Sequence, residues 1–282
     1  MPETVVDQLR ENLGQFSATE RRVAHRLLAE YPMAGLQSAT VLARQVEVST
    51  PTVLRMVARL GFQSYPDFQR RLREELTAQL SSPLSKASQA IRGGRKQSRT
   101  TATEFADAVV QNIQETFSHL AAHEIDQVVK LLGDRKQRVH LLGGRFTDAL
   151  ARYLSVQLRI IRGGVNHLQD QEANWQDQVL NMDHRDVLLI FDIRRYQPSL
   201  LRLAKAASAR QAKVLLITDQ WLSPISRLAL HVLPARISVP SVWDSSAALM
   251  AIAEALLATV TRNTWEQSQR RMRDLEQLRE QL

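Results

Sequence analysis

The sequence predicts an all-helical unit followed by an α/β unit built on a doubly wound parallel sheet. Three observations predict it. Up to residue 80 the apolar residues recur at helical spacing, whereas beyond residue 104 short continuous apolar runs alternate with amphipathic segments. Between them, residues 81–103 are dominated by serine, glycine and basic residues, a composition that marks a linker. At 282 residues the chain is comfortable for two domains, and with 44% hydrophobic residues it can build a core in each. The expected boundaries are 1–80, a linker over 81–103, an α/β unit over 104–264 and a C-terminal helix over 265–282.

The first unit opens with "FSATERRVAHRLLAEYP". Ser17 and Glu20 stand at capping-box spacing, Val23, Ala24, Leu27, Leu28 and Tyr31 follow on one face, and Pro32 marks the stop. "SYPDFQRRLREEL" repeats this logic, with Ser64 as cap, Pro66 in the first turn and Phe68, Leu72 and Leu76 on one face. Between these lies "LARQVEVSTPTVLRMVARLGF", two short helices about a bend. Leu42, Ala43 and Val46 give the first its inward face; Val53, Val57 and Leu60 give the second its own. Ser49 is placed as N-cap, and Pro51 is tolerated in the first turn because its missing N–H has no intrahelical partner there. Thr50, Thr52, Arg55 and Arg59 are left to point outward. A second helix presenting hydroxyls and arginines near its amino end is a helix-turn-helix arrangement, so double-stranded DNA is the expected partner. Ser49, Thr50, Thr52, Arg55 and Arg59 are the candidate contacts; a merely solvated face is the alternative.

Charge supports an anionic partner. The net charge is +8, with ten basic and nine acidic residues over 1–80, but five basic and no acidic residues over 81–103.

In the second unit the strand-like runs are "RVHLLG", "VNHL", "DVLLIFD", "KVLLITD" and "HVLPA". Helical segments such as "TDALARYLSVQLRII" and "PSLLRLAKAASAR" separate most of them, the pattern of a parallel sheet covered on both faces. Such sheets bind ligands beyond the carboxyl ends of their strands. Here those ends carry Gly143, Gly144 and Arg145, then Asp192, Ile193, Arg194 and Arg195, then Asp219, Gln220 and Trp221.

With these motifs in place, the first unit resembles the N-terminal domain of the RpiR-type (MurR/RpiR) bacterial transcriptional regulators, through "SATERRVAHRLLAEYP" and "SATVLARQVEVSTPTVLRMVARLGFQSYPDFQRRL". The second resembles a SIS (sugar isomerase) domain, the usual partner of that domain, and the likeness runs from about Val5 to Val260. It departs at Glu47, where the family usually has glycine in the bend. The resemblance implies a ligand-responsive regulator whose SIS domain recognises a phosphosugar, held by a glycine-rich loop after the first strand and a serine-rich turn after a later one. The glycine loop is kept as Gly143 and Gly144, with Thr147 and an added Arg145. At the second turn Phe191, Asp192, Ile193 and Arg194 replace the small hydroxyls. Bulky side chains there crowd a phosphate cradle, while guanidinium groups suit carboxylate as well as phosphate. The expected effector is therefore a small anionic metabolite, phosphorylated or carboxylated. Its candidate contacts are Gly143, Gly144, Arg145, Thr147, Asp192, Arg194, Arg195, Ser245 and Ser246. Two alternatives stay open: Arg194 or Arg195 pairs structurally with Asp192, Asp219 or Asp244, and Ser245 and Ser246 simply cap a helix.

Several classes are excluded or unsupported. With no cysteine there is no disulfide or thiolate metal site, the histidines show no metal spacing, and Gly143-Gly144 is not a dinucleotide fingerprint, so no metal or cofactor is expected. No catalytic residue is assigned. The competing function is an aldose–ketose sugar-phosphate isomerase, for which Glu172 and Glu254 are bases by type alone. No signal-peptide pattern and no apolar stretch near the roughly 20 residues of a membrane span lead to the expectation of a cytoplasmic chain. Helix-turn-helix proteins commonly bind as dimers, and the stripe Trp265, Met272, Leu275 and Leu282 offers apolar surface, so a homodimer or homotetramer is expected.

Overall fold

A computed structural model of the chain describes residues 4–80, 84–87, 102–168 and 174–281. It divides into two compact units, residues 1–97 and 98–282. Most of the expected linker over 81–103 lies outside the described residues.

The described residues of the first unit form the helices α1 (Val5–Asn12), α2 (Ala18–Ala29), α3 (Met33–Leu36), α4 (Ala39–Gln45), α5 (Thr50–Arg59) and α6 (Tyr65–Leu80), with a further helical stretch over 84–87. Capping boxes start α1, through Thr4 and Asp7, and α2, through Ser17 and Glu20. Helices this short are marginal alone and persist by sharing a core. That core holds Leu27, Leu42, Val53, Met56, Phe68 and Leu72, each at most 2% exposed. Each fully buried Leu, Met or Phe stabilises the fold by roughly 1.5–3 kcal/mol. Asp7, Glu20 and Glu75 are buried carboxylates of this unit; Glu75 accepts hydrogen bonds from Val5 N–H and the Tyr31 hydroxyl and pairs with Arg71.

In the second unit, α7 (Ala102–His119) and α8 (Ala122–Gly133) precede β1 (Arg138–Gly143). Then follow α9 (Asp148–Ile161), β2 (Val165–His167), α10 (Trp175–Leu180), β3 (Asp186–Asp192), α11 (Pro198–Ala209), β4 (Lys213–Asp219), β5 (His231–Ala235), α12 (Ala247–Asn263) and α13 (Trp265–Gln281). The five strands pair in parallel in the order β2-β1-β3-β4-β5. β3 is buried along its whole length, as a central strand covered on both sides must be. Leu142, Leu188, Ile190, Val214 and Leu216 face Trp175 and Val179 of α10 and Leu200 and Leu203 of α11. Alternation sends Leu141, Leu189 and Ile217 to the other face. There α9 packs on β1, and α7 and α8 on β5, with α12 against α8 and α9.

The attachment of α7 is partly polar. Its buried Asn112 donates Nδ2–H to the Ser238 carbonyl at 2.9 Å, and its buried Thr116 accepts from Arg236 N–H at 2.8 Å. In α13 the inward face is Ser268, Met272 and Leu275; Trp265 of the apolar stripe is exposed, and Leu282 lies outside the described residues.

Candidate DNA-reading helix and effector site

The bend between α4 and α5 is a left-handed helix terminus. Val48 N–H bonds to the Ala43 carbonyl and Glu47 N–H to that of Arg44, with Glu47 at φ +53°. α5 ends in the same pattern, Phe62 N–H to Val57 and Gly61 N–H to Ala58, with Gly61 at φ +90°. Glu47 thus keeps the conformation a glycine would take, and Arg22 Nη2 donates to its carbonyl at 3.0 Å.

Beyond this bend the expected surface of α5 is present with one correction. Ser49, Arg55 and Arg59 are exposed and Thr50 is half-buried, but Thr52 is buried rather than outward. The inward arc of α5 is Thr52, Val53, Met56, Val57 and Leu60, wider than the three-residue stripe read from the sequence, which omitted Met56. Ser49 holds the N-cap position, yet its hydroxyl lies 2.9 Å from that of Thr52 and makes no cap bond. Arg59 is partly committed, its Nη1 lying 3.1 Å from Glu20 Oε2 and 3.3 Å from the Gln15 carbonyl. Glu20 is held below the usual carboxylate range: burial pushes it up, but bonds from Ser17 and the charges of Arg59 and Arg55 outweigh that.

In the second unit the strand order reverses between β1 and β3, so the loops following these strands flank the switch point where such sheets take ligands. Gly143 is obligatory: a Cβ would sit 2.5 Å from the backbone of Thr147 and Asp148. The two glycine N–H groups of this loop are spent internally. Gly143 N–H goes to Asp148 Oδ1 at 3.1 Å, and Gly144 N–H to the Phe191 carbonyl at 3.1 Å and to Thr147 Oγ1 at 2.9 Å. Thr147, expected to offer its hydroxyl, is buried and donates it to the Phe191 carbonyl at 2.7 Å. Asp148 Oδ1 also lies 2.9 Å from Nε2 of His167.

After β3, the buried Asp192 accepts from Ser223 Oγ and Gln197 N–H. Burial, together with the charge of Asp219, pushes its carboxyl up to about 7 against these bonds. Asp219, fully buried at the end of β4, accepts from Arg194 N–H, the Tyr196 hydroxyl and Trp221 N–H at 2.6, 2.8 and 2.9 Å. Burial pushes it up to about 6. Arg194 itself is buried, its side chain 4% exposed, with Nη2 3.1 Å from Asp244 Oδ1 and Cζ 4.5 Å from the Trp221 ring centroid. Its Nε and Nη1 are buried without a hydrogen-bond partner among the described residues. The ion-pair alternative thus holds for one nitrogen and leaves two over. Arg195, at φ +63°, and Arg145 are exposed, each with its guanidinium over Phe146, at 6.0 and 5.4 Å. Ser245 takes the bland role, accepting from Ala247 N–H at 3.2 Å, while Ser246 is the N-cap of α12 without a side-chain cap bond.

Sequence reasoning missed Phe146 and Trp243. Both are more than half exposed, and their rings meet edge to face at 6.4 Å. The available signal was a large aromatic residue in each of two loops at the carboxyl edge. Among the described residues no group of acidic, histidine or cysteine side chains could hold a metal ion, and no helix is long and apolar enough to cross a membrane.

Residues 3–79 match the helix-turn-helix domain of the rpiR family and residues 131–259 match the SIS domain. The bifunctional protein glk of Burkholderia thailandensis is 27% identical over 221 residues, which cover 76% of this chain and 32% of that protein. The chain therefore spans about a third of the length of such curated relatives. An uncharacterized HTH-type transcriptional regulator of Haemophilus influenzae is 21% identical over 234 residues, 81% of this chain and 78% of the other. Two solved structures share the fold. One is the sugar isomerase domain of an RpiR transcription factor from Sphaerobacter thermophilus, with a TM-score of 0.59 and 21% identity, covering 63% of this chain and 99% of that one. The other is the Vibrio vulnificus NanR protein complexed with ManNAc-6P, with a TM-score of 0.53 and 18% identity over 97% of both chains. With an rpiR-family helix-turn-helix domain followed by a SIS domain, both in the order their motifs foretell, the chain belongs to the RpiR-type family.

Proposed function

We propose that this regulator grips a DNA operator with the amino end of α5 and senses a small anionic metabolite at the carboxyl edge of its sheet. On the DNA side, Ser49 and Thr50 meet phosphate at the helix start, and Arg55 reaches a base edge or phosphate, joined by Arg59 when it leaves Glu20. The protein acts as at least a homodimer on a palindromic operator, with half-sites about one helical turn, roughly 34 Å, or a multiple of that apart. The single observation that carries the effector reading is Arg194. A guanidinium out of water with two nitrogens unpaired is costly, and an anion from solution relieves that cost.

The edge binds rather than turns over its ligand. The carboxyls that would move protons there, Asp192 and Asp219, are already committed to Ser223, Gln197, Arg194, Tyr196 and Trp221. The effector acts by favouring one arrangement of the dimer over another, which requires different affinity for the two. The test is operator binding with and without effector. Arg55→Ala should weaken specific binding by about 1–3 kcal/mol if Arg55 reads a base, or weaken all sequences alike and flatten the salt dependence if it meets phosphate. Arg194→Ala should abolish the effector response and leave effector-free DNA binding intact. A normal response in Arg194→Ala would place the effector elsewhere.

A further inference from the structure

Three arginines lie along the seam that α2 makes with α4 and α5, and they are not equivalent. Arg59, from the carboxyl end of α5, reaches the start of α2 and sits 3.1 Å from the Glu20 carboxylate. Arg26, from α2, sits 2.8 Å from the Glu30 carboxylate and 3.4 Å from the side-chain oxygen of Gln45 at the end of α4. Each of these charges is matched by a neighbouring carboxylate. Arg22 stands on α2 between Glu20 and Arg26. Its Nη2 donates at 3.0 Å to the Glu47 carbonyl, a neutral acceptor, and it forms no ion pair among the described residues. Of the several N–H donors of its guanidinium, one is used here. The residue is exposed, so its full positive charge and its other donors face solvent.

With α5 as the helix that enters a DNA groove, the reading on which this step rests, position gives that charge a use. Glu47 is three residues ahead of Thr50, the first residue of α5. The bond to its carbonyl holds the Arg22 guanidinium beside the entry to α5, while the Arg59–Glu20 pair ties the other end of α5 to α2. Between these ties α2 packs along one flank of α5, Val23, Ala24 and Leu27 sharing a core with Val53, Met56 and Val57. The major groove is about 12 Å wide, and an α-helix with its side chains is about 10–12 Å across. A helix that fills the groove therefore brings whatever stands on its flank against the phosphate wall. Of the seam arginines on the α2 flank, the one whose charge no carboxylate matches is Arg22.

We propose that Arg22 is a further DNA-binding residue: held by the Glu47 carbonyl at the entry to α5, it takes a phosphodiester of the backbone strand that lies beside α2. It recognises charge and not sequence, since a phosphodiester is the same at every base pair. The carbonyl bond already restricts the side chain, which reduces the rotamer freedom lost when DNA binds. Arg59 must first leave Glu20 to make such a contact; Arg22 keeps its carbonyl and binds with the donors left over.

The test uses the full chain, a duplex selected by that chain from a random pool, and a scrambled duplex of the same composition. Arg22→Gln keeps a side-chain N–H for the Glu47 carbonyl and removes the charge; Arg22→Lys keeps the charge. Each neutralised phosphate contributes about 0.9 to the slope of log K against log salt. Arg22→Gln should lower that slope by about 0.9 for each bound copy of the chain, on both duplexes, which in about 0.1 M salt is roughly an eightfold loss of affinity per copy. Arg22→Lys should keep the slope. The Tm of the first unit should be the same in Arg22→Gln and wild type, which separates lost charge from lost fold. An unchanged slope in Arg22→Gln, or a loss confined to the selected duplex with the slope intact, would overturn the assignment and leave Arg22 as a cap on the turn. Equal loss of slope in Arg22→Lys and Arg22→Gln would also overturn it. Arg55→Ala is measured beside these variants. Weak binding in Arg55→Ala with normal binding in Arg22→Gln keeps α5 as the reading helix and refutes the role of Arg22. The reverse refutes α5 as the reading helix and keeps Arg22 on phosphate.

Discussion

Replacing Glu47 with glycine should stabilise the helix-turn-helix unit. Glu47 sits at φ +53° in the turn after α4, closed by the bonds Val48 N–H to Ala43 and Glu47 N–H to Arg44. For a residue with a Cβ, the left-handed region costs roughly 1–2 kcal/mol. Glycine avoids this but loses more freedom on folding, about 0.5–1 kcal/mol. The net expectation is a gain of about 0.5–1 kcal/mol. The contact made by Glu47 across the unit is through its carbonyl to Arg22, which the substitution retains. For a unit of this size the gain corresponds to a Tm increase of roughly 2–8 °C in its own transition. Thermal unfolding of Glu47→Gly followed by circular dichroism measures it, with Glu47→Ala as the control. Alanine keeps the Cβ and the strain while removing the carboxylate. If alanine stabilises as much as glycine, the effect comes from charge and the backbone argument fails; no gain in Glu47→Gly refutes it outright.

Three further outcomes follow from the geometry. Gly143→Ala should cost at least about 1–3 kcal/mol, because its Cβ meets backbone that cannot rotate away; wild-type stability on chemical denaturation would show the loop to be softer than its contacts imply. Asp192 prefers its protonated form in the folded state, so its contribution to stability is present below the unfolded value near 3.8 and lost as pH rises toward about 7. Asp192→Asn should therefore flatten the fall in stability over that window, by up to roughly 4 kcal/mol, and an unchanged pH profile would count against it. Thr52→Val should leave operator affinity within about twofold of wild type, since Thr52 is buried; a loss as large as that of Arg55→Ala would return it to the DNA face.

Much of the fold was legible because its signals are local. The two central strands, DVLLIFD and KVLLITD, are apolar along their middles, the Ser17–Glu20 box is a spacing, and each forms where its residues stand. The parallel pairing of the sheet came with the alternation of strand and helix. What stayed hidden depends on distance or on arc width. Thr52 turns inward because the buried arc of α5 is broader than its most apolar stripe. Arg194 is buried because Asp244 and Trp221, far along the chain, fold against it. The hydroxyl of Thr147 is consumed by a carbonyl of another strand. For the candidate site, then, the loops were readable while the commitments of their side chains were not.

The segment after β5 has two attachments. Near its start, Arg236 N–H and the Ser238 carbonyl are fastened to Thr116 and Asn112 of α7, the first helix after the basic stretch. Near its end, Trp243 and Asp244 hold Phe146 and Arg194. Ser245 N–H bonds back to the Ile237 carbonyl at 2.8 Å, so the intervening residues form a loop pinched at its neck. A loop closed in this way behaves as a lever more than as a hinge. Displacement at its tip is carried to the neck by covalent chain, and from the neck to α7 through two directional bonds, without any side chain having to repack between them.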